Sequence, residues 1–285
     1  MATGNLCAMT SAVGTVAWRS TDEGLEVMTW PVFDDLPIDV IVTTRFGGVS
    51  NGEYASLNLG LHVGDDPASV IENRRRAARA IGAELGDLVF ANQTHGRAVF
   101  DVTAADRGRG STSLDDAVDG VDAFVTAQAG PVLVTMCADC VPIVLYDPAA
   151  HVAASVHAGW RGTVSRVAEA AIETMAKLGA QPPHILAAIG PAVDPEIYEV
   201  GPEVATAAVE CFGGDADDVL TTNAEGSFFF DLSEANRRIL HDGGVLPEHI
   251  HLSGVPTGGG GPFFSDRAAR PCGRFAALVR LRPAP

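Results

Sequence analysis

The sequence predicts an α+β fold of mixed, layered sheets, not a barrel or a doubly wound sheet. Three observations carry that prediction. Strand-like segments outnumber helical ones, they do not alternate strictly with helices as βα repeats do, and no internal repeat or linker divides the chain. Residues 31–285 are therefore expected to form a single domain, preceded by a loosely held extension over 1–30. With 47% hydrophobic residues in a chain of 285, a substantial core can be buried.

An early strand is expected near Leu25–Met28. The β-branched run Val40–Thr44 predicts a strand that runs into the glycine turn Arg45-Phe46-Gly47-Gly48. Leu57–Leu61 alternates apolar with small or polar residues, as a strand or an extended loop would. Asp66-Pro67 reads as an N-cap followed by proline at the first helical position. Apolar residues at helical spacing continue to Ile81, and Gly82 closes the helix. The run Arg74-Arg75-Arg76 is expected on its solvated face.

Short strands follow at Leu88–Asn92 and Ala98–Val102, then an exposed loop over Arg107–Asp119. Four strands, Ala123–Thr126, Val132–Met136, Val141–Tyr146 and Val152–Val156, form the densest apolar stretch. A helix over about Val164 to Leu178 presents one apolar face, and Ile185–Ile189 reads as a buried strand. Pro202 opens a helix toward Cys211, Ser227–Phe230 is a strand, and Asp231 with Glu234 resembles a capping box for a helix to His241. Phe275–Leu281 is the last strand.

Net charge of −17 argues against a general nucleic-acid surface. An anionic substrate would need a local basic pocket, for which Arg45, Arg161, Arg267 and Arg274 are candidate suppliers. No apolar run approaches the roughly 20 residues needed to span a bilayer, so no membrane partner is expected. The amino terminus lacks the pattern of a signal peptide. Five sparsely placed cysteines, an odd number, argue against a disulfide framework and for a reducing cytoplasm.

His95, Cys140 and His157 stand out. Each lies at the end or edge of an apolar strand-like run, in a segment flanked by small or polar residues. Two imidazoles and a thiolate make a zinc set with one open position, the catalytic pattern. The same three residues also suit a Cys–His nucleophile pair with a second histidine. Both readings make the chain an enzyme. Cys137 forms Cys-x-x-Cys with Cys140 and is expected to pack in a strand. Asp139 reads either as a brace for an imidazole or as a proton acceptor. Arg45, beside Gly47-Gly48, has the fork geometry to clamp phosphate. Asn58 is a candidate for a ribose hydroxyl and Arg161 for a substrate contact. Trp160 is expected to be a packing anchor. The other histidines, His62 among them, scatter without ligand spacing.

Eight ordered motifs carry a family resemblance. They include Thr43-Thr44-Arg45-x-Gly47-Gly48, Ser56-Leu57-Asn58-Leu59-Gly60, Gln93-Thr94-His95-Gly96, Ala138-Asp139-Cys140-x-Pro142, His157-Ala158-Gly159-Trp160-Arg161-Gly162 and Phe263-Phe264-Ser265-x-Arg267. Over about residues 38 to 282 the chain resembles the YfiH-type polyphenol oxidase, or laccase-domain, family, also known as a purine nucleoside phosphorylase family. The resemblance implies a four-layer αββα fold with mixed sheets, related to the catalytic domain of cytotoxic necrotizing factor. It implies zinc, with copper as the alternative, on His95, Cys140 and His157. It further implies phosphorolysis of adenosine, inosine and methylthioadenosine with adenosine deamination. Purine nucleoside and phosphate would then be the partners of a monomer or weak homodimer. Copper-dependent phenol oxidation and peptidoglycan-precursor editing with Cys140 as nucleophile are the other activities attached to the family. Two departures, Asp266 where an aromatic residue is common and Leu252-Ser253-Gly254 where a Cys-Thr pair is common, fall on the C-terminal wall of the pocket.

Overall fold

The computed structural model describes residues 16–283. Two six-stranded mixed sheets lie face to face, with helices on both outer surfaces. The first sheet runs in the order Ala17–Ser20, Glu26–Thr29, Ile38–Thr43, Phe275–Leu281, Val132–Cys137 and Leu88–Val89. Its pairs are antiparallel except the last. The second runs Ile250–Leu252, Leu186–Ile189, Val141–Asp147, Val152–Ala158, Ala123–Thr126 and Val99–Asp101, with a parallel pair at each edge.

The period-2 alternation of the central strands assigns their two faces. In Phe275–Leu281, Phe275, Ala277 and Val279 enter the layer between the sheets, while Ala276 and Leu278 pack toward helix α1 (Pro67–Ala80). In Val141–Asp147, Val144 and Tyr146 face the other sheet. Ile143 and Leu145 face α3 (Val167–Lys177) and α5 (Leu232–Asp242). Helix, sheet, sheet, helix is the resulting order, the expected four layers. A hydrogen bond of 2.8 Å between Thr135 and Ser155 joins the two sheets inside the middle layer and satisfies both hydroxyls.

Three local differences have physical causes. The first thirty residues are not a loose extension throughout. Among the described ones, Ala17–Ser20 and Glu26–Thr29 extend the first sheet, and Leu25, Met28 and Trp30 are buried. Of the two readings of Leu57–Leu61 the loop is the one found, with Asn58 bonding into it through its side chain. The helix expected from about Val164 starts instead at Val167 (α3), after a separate short helix α2 (Trp160–Val164), the two being divided at Arg166, whose φ of 61° is left-handed. Asp231 caps α5 as expected, its carboxylate accepting from the Glu234 N–H at 2.9 Å.

The third difference concerns the arginine run on α1. Arg75 and Arg76 do face outward, both paired with Glu72. Arg74 instead points inward with 0% exposure, because it shares the apolar face of Val70, Ala77 and Ala78. Its guanidinium donates to the carbonyls of Leu59, Gly110 and Ser111 and lies 3.7 Å from the centroid of the Phe90 ring. Burial pulls its pKa down to about 9, still high enough to keep it charged at neutral pH. Replacing Arg74 by Met strips donors from three buried carbonyls, each worth about 1–3 kcal/mol when left unpaired. Urea denaturation of Arg74→Met is expected to show a loss of at least about 3 kcal/mol. A loss below about 1 kcal/mol would mean that the carbonyls find other partners.

Candidate metal centre

The donor atoms of His95, Cys140 and His157 all lie within 4.8 Å of one another. Strand register brings two of them together. Val141–Asp147 pairs with Val152–Ala158 so that Pro142 opposes His157 and Val141 opposes Ala158. Cys140 therefore sits one step beyond the ladder, where the chain crosses from the first sheet to the second. His95 comes from the turn after Ala91–Asn92 and is held at a φ of 59°. Its ring meets that of His157 edge-on at 4.9 Å between centroids. Gly159 permits this approach, since a Cβ there would lie 2.8 Å from both the Cys140 sulfur and His95 Cδ2.

Asp122 organises the three. It precedes the strand Ala123–Thr126, whose Ala123 opposes Val156, so it comes beside His157. The His157 N–H donates to the Asp122 carbonyl at 2.7 Å, and His157 Nδ1 donates to Asp122 Oδ1 at 2.8 Å. The same buried carboxylate accepts from the backbone N–H groups of His95 at 2.9 Å, Gly96 at 2.6 Å and Thr94 at 3.2 Å. Burial alone would raise its pKa, but the hydrogen bond and charge of His157, with the N–H groups of Gly96 and His95, hold it below the usual carboxylate range.

With Nδ1 committed to Asp122, His157 has Nε2 as its remaining ring donor. Burial opposes a thiolate at Cys140, yet the charge of His157 and hydrogen bonds from His157 and His95 bring it down to about 6. Burial likewise opposes an imidazolium at His157, and the charges of Cys140 and Asp122 lift it to about 9. A thiolate with two orientable imidazoles, one backed by a carboxylate, fits a zinc ion with one position open. Among the described residues no other group of three such donors occurs. Cys137 stays outside it, packed between the sheets, where burial pushes its thiol well above the ordinary value. The four described cysteines are all free thiols; Cys7 lies outside the described residues.

The donors open into a cavity of about 1000 Å³ whose walls include Gln93, Trp160, Arg161, Tyr198, Arg267 and Arg274. Arg161 is among the residues that line it. Arg45 is not. Its guanidinium donates to the Ala55 carbonyl at 3.0 and 3.2 Å and lies 4.7 Å from the centroid of the Phe264 ring, bracing the glycine turn outside the cavity lining. Asn58 does not reach it either. It is 0% exposed, its Nδ2 donates to Gly60 and Asp65, and its Oδ1 accepts from the N–H groups of Gly60 and Arg274. No polar atom is left for a ribose.

Asp139 braces a different segment from the imidazoles. Its carboxylate accepts from the Thr257 hydroxyl at 2.5 Å and from the Arg267 N–H at 2.6 Å, with its own φ at 95°. His62, unassigned by spacing, also lines the cavity, and burial with the charges of Arg274 and Arg74 lowers its pKa to about 4. Asp122 is the residue that the sequence hides. After Asp119-Gly120 it reads as one more polar residue at a turn, and only the strand register turns it toward His157.

Two mixed sheets between helices, with one thiol and two imidazoles at the strand ends facing a wide cavity, define the class: a layered α+β protein with a candidate mononuclear metal centre. The chain belongs to the multi-copper polyphenol oxidoreductase laccase family, whose sequence model matches residues 39–282. It is 36% identical over 241 residues to the purine nucleoside phosphorylase YlmD of Bacillus subtilis (strain 168), covering 84% of this chain and 86% of that one. It is 39% identical over 213 residues to the adenosine deaminase RL5 of an unknown prokaryotic organism, covering 75% and 81%. The crystal structure of the hypothetical protein YfiH of Bacillus licheniformis superposes with a TM-score of 0.88 at 32% identity, covering 93% and 99%. These relatives support an enzyme.

Asp122→Asn keeps the size of the side chain but removes the charge that orients His157. Zinc affinity, measured by competition with a chromophoric chelator, is expected to fall about 10–100-fold. The far-ultraviolet dichroism should be retained. Unchanged affinity would show that Asp122 supports the loop without orienting the donors.

Proposed function

We propose that this chain is a zinc-dependent purine nucleoside phosphorylase, acting on adenosine, inosine and methylthioadenosine, with adenosine deaminase activity. The observation that carries this reading is the three-donor group of His95, Cys140 and His157 facing a cavity roomy enough for a nucleoside beside a small anion. The names of the relatives, phosphorylase and deaminase, support the pair of activities.

His95, Cys140 and His157 would hold the metal. When bound, zinc supplies a Lewis acid and an activated water at neutral pH, which suits attack on the adenine ring. The chain's own residues do the rest. Asp122 fixes the His157 ring, and Trp160 and Tyr198 line the cavity with Arg161 and Arg267 over their rings. Partly enclosed walls keep a developing sugar cation and a departing base in a setting where fixed charges act strongly. Phenol oxidation by several coppers is the second reading, favoured by the family's description. A multicopper enzyme needs several clustered metal sites, whereas the described residues bring together one group of three donors.

Purified protein is expected to carry about one zinc per chain by elemental analysis. Adenosine with phosphate should yield adenine and ribose 1-phosphate, and adenosine alone should slowly yield inosine. Cys140→Ala and His157→Ala should each cut both reactions by more than about a thousandfold. Full activity in metal-free protein would remove zinc and promote Cys140 to nucleophile. Several equivalents of copper would favour the oxidase. Failure to turn over any purine nucleoside would point to hydrolysis of a cell-wall precursor.

A further inference from the structure

Two of the cavity's arginines carry charge that no nearby carboxylate neutralises. Arg161 lies over the Trp160 ring, 4.4 Å from its centroid, and among the described residues no carboxylate oxygen comes within ion-pair distance of it. Arg267 lies 5.3 Å from the centroid of the Tyr198 ring and donates to the neutral Glu199 carbonyl at 2.6 Å. The neighbouring Asp266 is taken by Arg270 at 2.6 Å, with Arg274 at 3.5 Å. The Asp139 carboxylate turns to the Thr257 hydroxyl and the Arg267 backbone N–H.

Both arginines are also fixed relative to the donor group. Arg161 follows His157 by four residues, in the first turn of α2. Arg267 is pinned through its backbone to Asp139, the residue before Cys140. A guanidinium held over an aromatic ring loses mobility while keeping N–H groups available to an anion. Tyr198 lines the same cavity as both arginines.

We propose that Arg161 and Arg267, which line one cavity together with Tyr198, form an oxyanion subsite there that binds a phosphate group. The assignment of that group as inorganic phosphate, the co-substrate, rests on the phosphorylase reading; the binding itself does not. On a chain of net charge −17, such a local pair is what lets an anion approach.

The test is calorimetric titration of inorganic phosphate into the zinc-loaded full chain, with no nucleoside present, for the wild type, Arg161→Gln, Arg267→Gln and Arg238→Gln. Arg238 lies on α5, paired with Asp218, and its loss removes the same charge away from the cavity. Phosphate Kd is expected to rise at least about tenfold in Arg161→Gln and in Arg267→Gln, to hold in Arg238→Gln, and zinc content to be equal in all four. Equal phosphate affinity in the wild type and both cavity variants would overturn the subsite. Adenosine 5′-monophosphate, titrated in parallel, separates the two sources of a phosphate group. Arginine-dependent binding of the nucleotide, with none for free phosphate, would overturn the co-substrate assignment. Arginine-dependent phosphate binding without any phosphorolysis would refute the phosphorylase reading and leave the subsite standing.

Discussion

The Asp122 carboxylate is bonded to two of the three donor segments at once. It accepts from His157 Nδ1 and from successive backbone N–H groups at Thr94, His95 and Gly96. A buried carboxylate is costly unless its lone pairs are filled, and here the turn and the imidazole fill them. The dependence runs both ways. The turn needs an acceptor for its convergent N–H groups, His95 sits in it at a positive φ, and His157 needs its Nδ1 proton held so that the other nitrogen points to its neighbours.

The layered fold makes that arrangement possible. The chain leaves the first sheet after Cys137 and enters the second at Val141, so Cys140 is carried at the crossover between layers. Antiparallel register then sets His157 beside it from the neighbouring strand. Asp139 does for the C-terminal segment what Asp122 does for the turn, tying Thr257 and Arg267 to the residue next to Cys140. Two buried carboxylates, one on each side of the donor group, thereby link five separate stretches of chain. Gly159 leaves the gap between Cys140 and His95 open, a place where any side chain would collide.

The central strands were legible because their β-branched runs are long and their burial is two-sided, as in Val141–Asp147 and Val152–Ala158. His95, Cys140 and His157 could be singled out because each ends an apolar run in a polar or glycine-rich segment, with Asp139 beside Cys140 unsuited to an apolar core strand. Polar residues whose roles depend on distant partners were not. Arg74 sits in a charged run, yet its helical position is on the apolar face, and the carbonyls that receive it come from segments 15 to 37 residues away. Arg45 and Asn58 lie in motifs that suggest ligand contacts, but Ala55, Phe264, Asp65 and Arg274 consume their donors and acceptors. Arg161 and Arg267 were named as sources of local positive charge. Only the fold shows that they share a wall and that Arg45 does not.

We propose that one sulfur and two imidazole nitrogens of this chain, from Cys140, His95 and His157, hold a single metal. X-ray absorption at the zinc edge of the purified, zinc-loaded protein reads that donor set directly. The expected spectrum fits one sulfur at about 2.3 Å and two nitrogens at about 2.0 Å, with one further light atom. A shell of nitrogen and oxygen alone, or one with two sulfurs, would contradict it: the first would remove Cys140 from the metal, and the second would bring Cys137 onto it.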